Sequence, residues 1–264
     1  MSNRRRFIKQ ISTGFAGIAL GSRAAGISEK TAPKSLVSQP MEAGELPDRN
    51  FLENCAFVCI DIQETSYHPM TTDKMPQGWL EMGKTADDVN RANRYLYDTA
   101  IPNACRVADA CRAAQLPMIF VHWGYRFRDG MDLDPDVYNS FQREISPDPE
   151  KWPHHISAQD SKPAIVLSVR EGEYVIPKSA QDAFPSSNIG YVLQNLGIKN
   201  IVFIGGHTGA CLGKTAKTAI ERGYKTLCVK DATFDAFAST HMENLEQTGY
   251  HYVSSTDDFE RFVR

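Results

Sequence analysis

Short, wholly apolar runs alternate along this chain with segments of helical period, and that alternation narrows the fold more than anything else. Cys55-Ala-Phe-Val-Cys-Ile60 holds no polar residue, as expected of a strand buried on both faces. Leu116-Pro-Met-Ile-Phe-Val121, Asn200-Ile-Val-Phe-Ile204 and Lys225-Thr-Leu-Cys-Val229 repeat the theme, with Glu173-Tyr-Val-Ile176 and residues 250–254 as shorter strands. Between them, helical patterns cover residues 87–115 (interrupted near Pro102), 187–196 (stopped by Gly197), 212–222 and 239–248 (stopped by Gly249). Strand and helix in alternation imply an α/β fold: a doubly wound, mainly parallel sheet with helices on both faces. Sites in such sheets lie beyond the carboxyl ends of the strands. Residues 123–162, rich in Pro, Asp, Trp and His and without clear period, read as an excursion over that edge.

Bulk properties remove several function classes. A net charge of -3 gives no basis for binding nucleic acid or an anionic membrane. No apolar run reaches the ~20 residues that span a bilayer. The six cysteines (55, 59, 105, 111, 211 and 228) are scattered without a CxxC pair, unlike a disulfide scaffold or a zinc ribbon. Most therefore read as core packing.

The N-terminus reads as an address. Asn3-Arg-Arg-Arg-Phe-Ile-Lys9 resembles the bacterial twin-arginine export motif, with Asn3 in place of the usual hydroxyl residue and Ile8 in place of the usual Leu. A mildly apolar stretch follows over residues 11–20, diluted by Gly14 and Gly17. A basic tail without a targeting role is the alternative. We assign residues 1–26 to an export signal, 27–50 (with Pro33, Pro40 and Pro47) to a linker and 51–264 to one catalytic domain. The expected location is periplasmic, or cytoplasmic if the signal is not used.

Three reactive groups fall at matching places. Asp61 ends the first strand, Lys178 follows the Glu173–Ile176 run, and Cys211 lies between the Asn200–Ile204 strand and the helix after it. In a parallel sheet all three reach one edge. A cysteine at a strand-to-helix turn sits where backbone N–H groups and the helix dipole favour a thiolate and could hold an oxyanion. The thiolate would attack a carbonyl carbon, the carboxylate would move the proton, and the ammonium would lower the thiol pKa. Each residue also has a plainer reading: Cys211 as a small buried hydrophobe, Asp61 as a turn cap, Lys178 as a solvated surface charge.

Four segments in order carry a resemblance to the isochorismatase-like cysteine hydrolases. These are Phe57-Val-Cys-Ile-Asp61-Ile-Gln63, then Gly172-Glu-Tyr-Val-Ile-Pro-Lys178 with Ala183-Phe184. Next come Leu193 to Ile198 leading into Ile201-Val-Phe-Ile-Gly205, and Gly205-Gly-His-Thr-Gly-Ala-Cys211-Leu with Thr215, Ala216 and Ala219. The likeness spans about residues 51 to 255. It implies an Asp61–Lys178–Cys211 triad, a cis Gly206–His207 peptide, and an oxyanion hole made by the backbone N–H groups of His207 and Cys211. It also implies a homo-oligomer, dimer or tetramer, acting on a small molecule.

The chain departs from the family pattern in two places. The position of His207 is usually small or apolar, so its imidazole either contacts substrate or points to solvent. The metal-binding Asp-x-His of family nicotinamidases has no counterpart in His122-Trp-Gly-Tyr-Arg-Phe-Arg-Asp129, and adjacent His154-His155 do not form an i,i+4 pair. No metal and no cofactor is expected. Gln63, Tyr67, Trp123, Tyr125, Phe184 and His207 are candidate substrate contacts, although such aromatics also serve as packing. Because family enzymes that cleave a vinyl ether generally lack the cysteine, its presence points to C–N cleavage of a small amide, ureide or carbamate-like compound through a thioester. The alternatives are vinyl-ether or ester hydrolysis on the same fold, or a non-catalytic binding protein.

Overall fold

The computed structural model describes residues 46–64 and 69–264. The export-type segment and most of the expected linker lie outside them, as does Tyr67. The described chain starts at Leu46, which packs against the core, and Phe51 is buried on the first short 3-10 turn, Arg49–Leu52.

Six strands form one sheet: β1 (Cys55–Ile60), β2 (Met118–Trp123), β3 (Tyr174–Lys178), β4 (Asn200–Gly205), β5 (Lys225–Thr233) and β6 (Tyr252–Ser254). Their order is β3-β2-β1-β4-β5-β6 and every pairing is parallel. All six residues of β1, β2 and β4 are buried, which explains why these strands are continuous apolar runs.

Alternate residues feed two separate cores. Cys55, Phe57 and Cys59 face one layer with Phe120, Val202 and Leu227. That layer is closed by α3 (Ile101–Ala113) and α9 (Thr256–Val263). Ala56, Val58 and Ile60 face the other layer with Ile119, Val121 and Phe203. It is closed by α5 (Ala183–Ser186), α6 (Ile189–Asn195), α7 (Cys211–Glu221) and α8 (His241–Thr248). The two-residue period of a strand produces this division.

The helix expected over residues 87–115 is α2 (Ala86–Tyr95) joined to α3 by a wider turn, Leu96–Ala100. Pro102 lies in the first turn of α3 and has no N–H to give, so the preceding backbone loosens there. The excursion contains α4 (Pro135–Glu144), and α1 (Gln77–Glu81) precedes α2. Among the described residues no helix is long and apolar enough to cross a membrane.

The chain order reverses at β1, between β2 and β4. A crevice beyond the strand ends is expected at such a switch point, and the reactive residues gather there.

Candidate active site

Asp61 is the first residue after β1, in a left-handed conformation with φ 52°. Its own N–H donates to Val121 O at 2.9 Å, and Gly206 N–H donates to Ile60 O at 2.9 Å. These bonds lock the turn against both neighbouring strands. The carboxylate, 9% exposed, receives the Lys178 ammonium at 2.8 Å through Oδ2. Its other oxygen, Oδ1, is buried and has no hydrogen-bond partner among the described residues.

Lys178 is the last residue of β3 and is wholly buried. Besides Asp61, its ammonium donates to Ala180 O at 3.2 Å and sits 4.4 Å from the centre of the Trp123 ring. Burial works against its charge. The facing Asp61 carboxylate and Cys211 outweigh that, so its pKa lies above the ordinary lysine value. The solvated-lysine reading is thereby excluded. A charge buried this deeply persists because it is paired and hydrogen-bonded.

Cys211 opens α7, half-buried, within hydrogen-bonding range of both Lys178 and Asp61. The amides of Leu212 and Lys214 already donate to His207 O (3.1 Å) and Ala210 O (2.8 Å). The thiol differs from the sequence expectation. Burial pushes its pKa up to about 12, the Lys178 ammonium opposes that rise, and the Asp61 carboxylate adds to it. The helix-terminal, lysine-paired thiol expected to be acidic is therefore a protonated thiol at neutral pH.

The turn between β4 and α7 carries the expected cis Gly206–His207 peptide. Gly205 has φ +104°, and a Cβ on it would stand 2.0 Å from Ile60 O, so only glycine permits the close approach of β4 to Asp61. Gly213 allows a similar contact: a Cβ there would lie 2.1 Å from Thr208 O. The turn is further clamped by Asp235. Its Oδ2 accepts from Thr208 Oγ1 (2.9 Å), Gly209 N (3.2 Å) and Asn244 Nδ2 (2.5 Å). Sequence reasoning missed Asp235 because β5 runs on to Thr233. Lys230 and Asp231 break its apolar pattern, and a strand ended at Val229 hides an acid at the sheet edge.

The other candidates divide. Trp123 is buried against Lys178 and lines the site wall. The excursion builds that wall: Trp123, Tyr125, Leu133, Val137, Phe141 and Trp152 form a cluster against which Cys211 packs. Within it Tyr125 is 2% exposed, and its hydroxyl donates to Trp152 O at 3.3 Å, so it supports the wall. Gln63 is occupied internally. Its amide nitrogen donates to Trp123 O (3.1 Å) and Asp160 O (2.8 Å), and its oxygen accepts from Trp123 N (2.8 Å). It ties the exit of β1 to β2 and the excursion. Phe184 is not at the site: it faces Tyr224 and the Arg222 guanidinium, at the end of α7 opposite Cys211. The lysine segment still docks on α7, through Ala183 N to Thr215 Oγ1 (3.1 Å) and Thr218 Oγ1 to Asp182 Oδ2 (2.6 Å).

His207 reaches the site mouth. Its side chain is 25% exposed, edge-on to Phe234, with Nδ1 3.8 Å from Asp235 Oδ1. His122 and His154 are buried and lie in the field of Asp61. Burial lowers the pKa of all three imidazoles. Among the described residues no group of three or more His, Cys, Asp or Glu is arranged to hold a metal ion.

Known proteins share this arrangement. The isochorismatase domain family model matches residues 55–258. N-carbamoylsarcosine amidase of an Arthrobacter species is 25% identical over 171 residues, which is 63% of this chain and 62% of that protein. The chain thus spans under two thirds of that relative's length. Ureidoacrylate amidohydrolase of Pseudomonas syringae pv. syringae is 29% identical over 169 residues, 60% of this chain and 69% of that protein. Among solved structures, an isochorismatase family protein from Burkholderia thailandensis superposes with a TM-score of 0.59 at 25% identity, over 83% of this chain and 99% of that one.

Proposed function

Since the chain belongs to the isochorismatase family, we propose that it is a metal-independent cysteine hydrolase that cleaves a C–N bond in a small amide, ureide or carbamate-like compound through a thioester. The observation that carries this reading is the buried Asp61–Lys178 pair, 2.8 Å apart, beside a cysteine at a helix head. The names of the amidase and amidohydrolase relatives support the bond type.

The raised thiol pKa shapes the mechanism. A free thiolate at Cys211 would add a second buried anion beside Asp61, which burial disfavours. Proton loss is therefore coupled to attack. The substrate carbonyl oxygen sits between the amide N–H groups of His207 and Cys211, the sulfur bonds to the carbonyl carbon, and the thiol proton passes to Asp61. The net charge of the triad stays constant through this step. Lys178 holds Asp61 in place and keeps its carboxylate charged until that moment. Asp61 then gives the proton to the departing nitrogen, and an acyl group remains on sulfur. Donors aimed at the oxyanion contribute about 10²–10³ in rate each. Trp123 and the excursion cluster exclude water from the reacting sulfur.

We further propose export to the periplasm; its support is the Arg4-Arg5-Arg6-Phe7 motif alone. The test of activity is ammonia or amine release from a panel of N-carbamoyl amines, ureido acids and simple amides, with wild type and Cys211→Ala. Release by wild type that falls by at least about 10³ in the variant is expected. Release that persists in Cys211→Ala overturns the cysteine mechanism. Cleavage of vinyl ethers or esters without turnover of any amide or ureide favours the other hydrolytic reading.

A further inference from the structure

Two histidine–aspartate contacts converge on the Asp61–Lys178 pair, and they differ in one decisive respect. His154, with Nδ1 3.3 Å from Asp160 Oδ2, is 4% exposed and walled in by the excursion. His207, facing Asp235, is 25% exposed at the mouth and belongs to the turn that leads into Cys211. We propose that His207 is the general base that activates water in the second half of the reaction, hydrolysis of the Cys211 thioester, with Asp235 as its positioning residue. This rests on the thioester mechanism above.

The geometry separates the two halves of the reaction. During acylation the proton to be moved is on the sulfur, and Asp61 lies beside it at the floor of the site. Once sulfur carries an acyl group, that group stands between Asp61 and solvent. The incoming water arrives from the mouth, where His207 is the imidazole in reach. Its ring is fixed by three neighbours: the rigid turn itself, the edge contact to Phe234 at 5.3 Å between centroids, and the Asp235 carboxylate. At 3.8 Å that last contact is electrostatic and too long for a hydrogen bond. It favours the tautomer with the proton on Nδ1, which makes Nε2 the basic nitrogen. Asp235 is itself held by Thr208, Gly209, Ala236 and Asn244, so its position is fixed independently of the ring.

The charged groups in the field of His207 are Asp235, Asp61 and Lys178. Burial outweighs the two carboxylates and holds the imidazole neutral, the state a base requires. The step balances as follows. Nε2 takes a proton from water, and the water oxygen bonds to the acyl carbon. The tetrahedral adduct collapses, the C–S bond breaks, and sulfur leaves with the electron pair. The proton held by His207 then passes to sulfur, which restores the thiol and the neutral imidazole.

The test uses p-nitrophenyl acetate as the acyl donor and follows acetyl-Cys211 by rapid-quench intact mass. In His207→Gln, decay of the acetyl-enzyme is expected to slow about 100-fold, as for loss of a general base, and far more than acetylation slows. A burst of one equivalent of nitrophenolate then appears. In wild type the decay rate falls on acidification as His207 gains a proton, and this limb is absent from the variant. Hydroxylamine, a nucleophile that needs no base, restores decay in His207→Gln. Decay equal in both proteins overturns the proposal, as does a parallel loss of acetylation and decay that hydroxylamine does not rescue. If wild-type Cys211 is never acetylated, the thioester mechanism fails and the proposal with it. An acetyl-Cys211 whose decay ignores His207 refutes this proposal alone.

Discussion

At the scale of single residues one charge pair governs the site. Lys178 is fully buried against Asp61, so removing either partner leaves an uncompensated buried charge. Lys178→Met is expected to destabilise the fold by about 3–5 kcal/mol, and the double variant Asp61→Asn/Lys178→Met is expected to recover a large part of it. Denaturant unfolding measures both. The pH dependence has a definite sign. The folded pKa of Lys178 is raised above its ordinary value, so the stabilisation is fully present below that value and is lost only as pH rises through the folded one. The pair therefore contributes evenly across the neutral range and fails only in strong alkali. Asp61 also helps to hold the Cys211 thiol at about 12. In Asp61→Asn that opposition goes and Lys178 remains. Iodoacetamide should then alkylate Cys211 faster than in wild type, while turnover is lost. Slower alkylation in the variant would contradict the assignment of the carboxylate as the group that opposes ionisation.

At the scale of elements, backbone proximity sets what the chain tolerates. Gly213 lies inside α7, where alanine would normally gain up to about 1 kcal/mol of helix stability. Its missing Cβ is the space occupied by Thr208 O, 2.1 Å away. Gly213→Ala is therefore expected to lower the unfolding midpoint and displace Cys211 from Asp61, with loss of activity. Gly78, on the exposed α1, has nothing within 4 Å of its would-be Cβ. Gly78→Ala is expected to stabilise by about 0.5–1 kcal/mol with activity unchanged. Thermal unfolding of the pair checks both signs. Elements were legible in the sequence where burial is two-sided, as in β1, β2 and β4. The edge-most parts were less so, because half-exposed strands and short helices lack a continuous apolar run. α4 and α9 passed unnoticed for that reason, and β5 was read four residues short. Asp61, Lys178 and Cys211 were legible because each closes or follows a clear strand. Asp235 was hidden by the polar interruption of β5. The roles of Gln63 and Phe184 were not readable, since hydrogen-bond partners and the far end of α7 depend on tertiary placement.

At the scale of the whole molecule, two apolar layers are joined through a polar seam at the strand ends, and that seam holds several histidines neutral. Burial lowers the pKa of His122, His154, His207 and His241. Above the ordinary histidine value both the folded and unfolded chains carry them neutral, so no stability depends on them. As pH falls below about 6.5 the unfolded chain binds protons that the folded one does not, and stability drops until the folded values are passed. The urea midpoint is expected to fall from pH 7 to pH 5; a flat profile contradicts the neutral, buried assignment. The parallel sheet, its switch point at β1 and the turn into α7 all serve one outcome, a single cysteine able to carry an acyl group. That outcome is tested most directly by peptide mapping after a brief exposure to p-nitrophenyl acetate, in wild type and Cys211→Ala. The prediction is one acetyl group per chain, mapped to Cys211 and absent from the variant. Acetylation mapped to other residues, or equal in both proteins, would contradict the account.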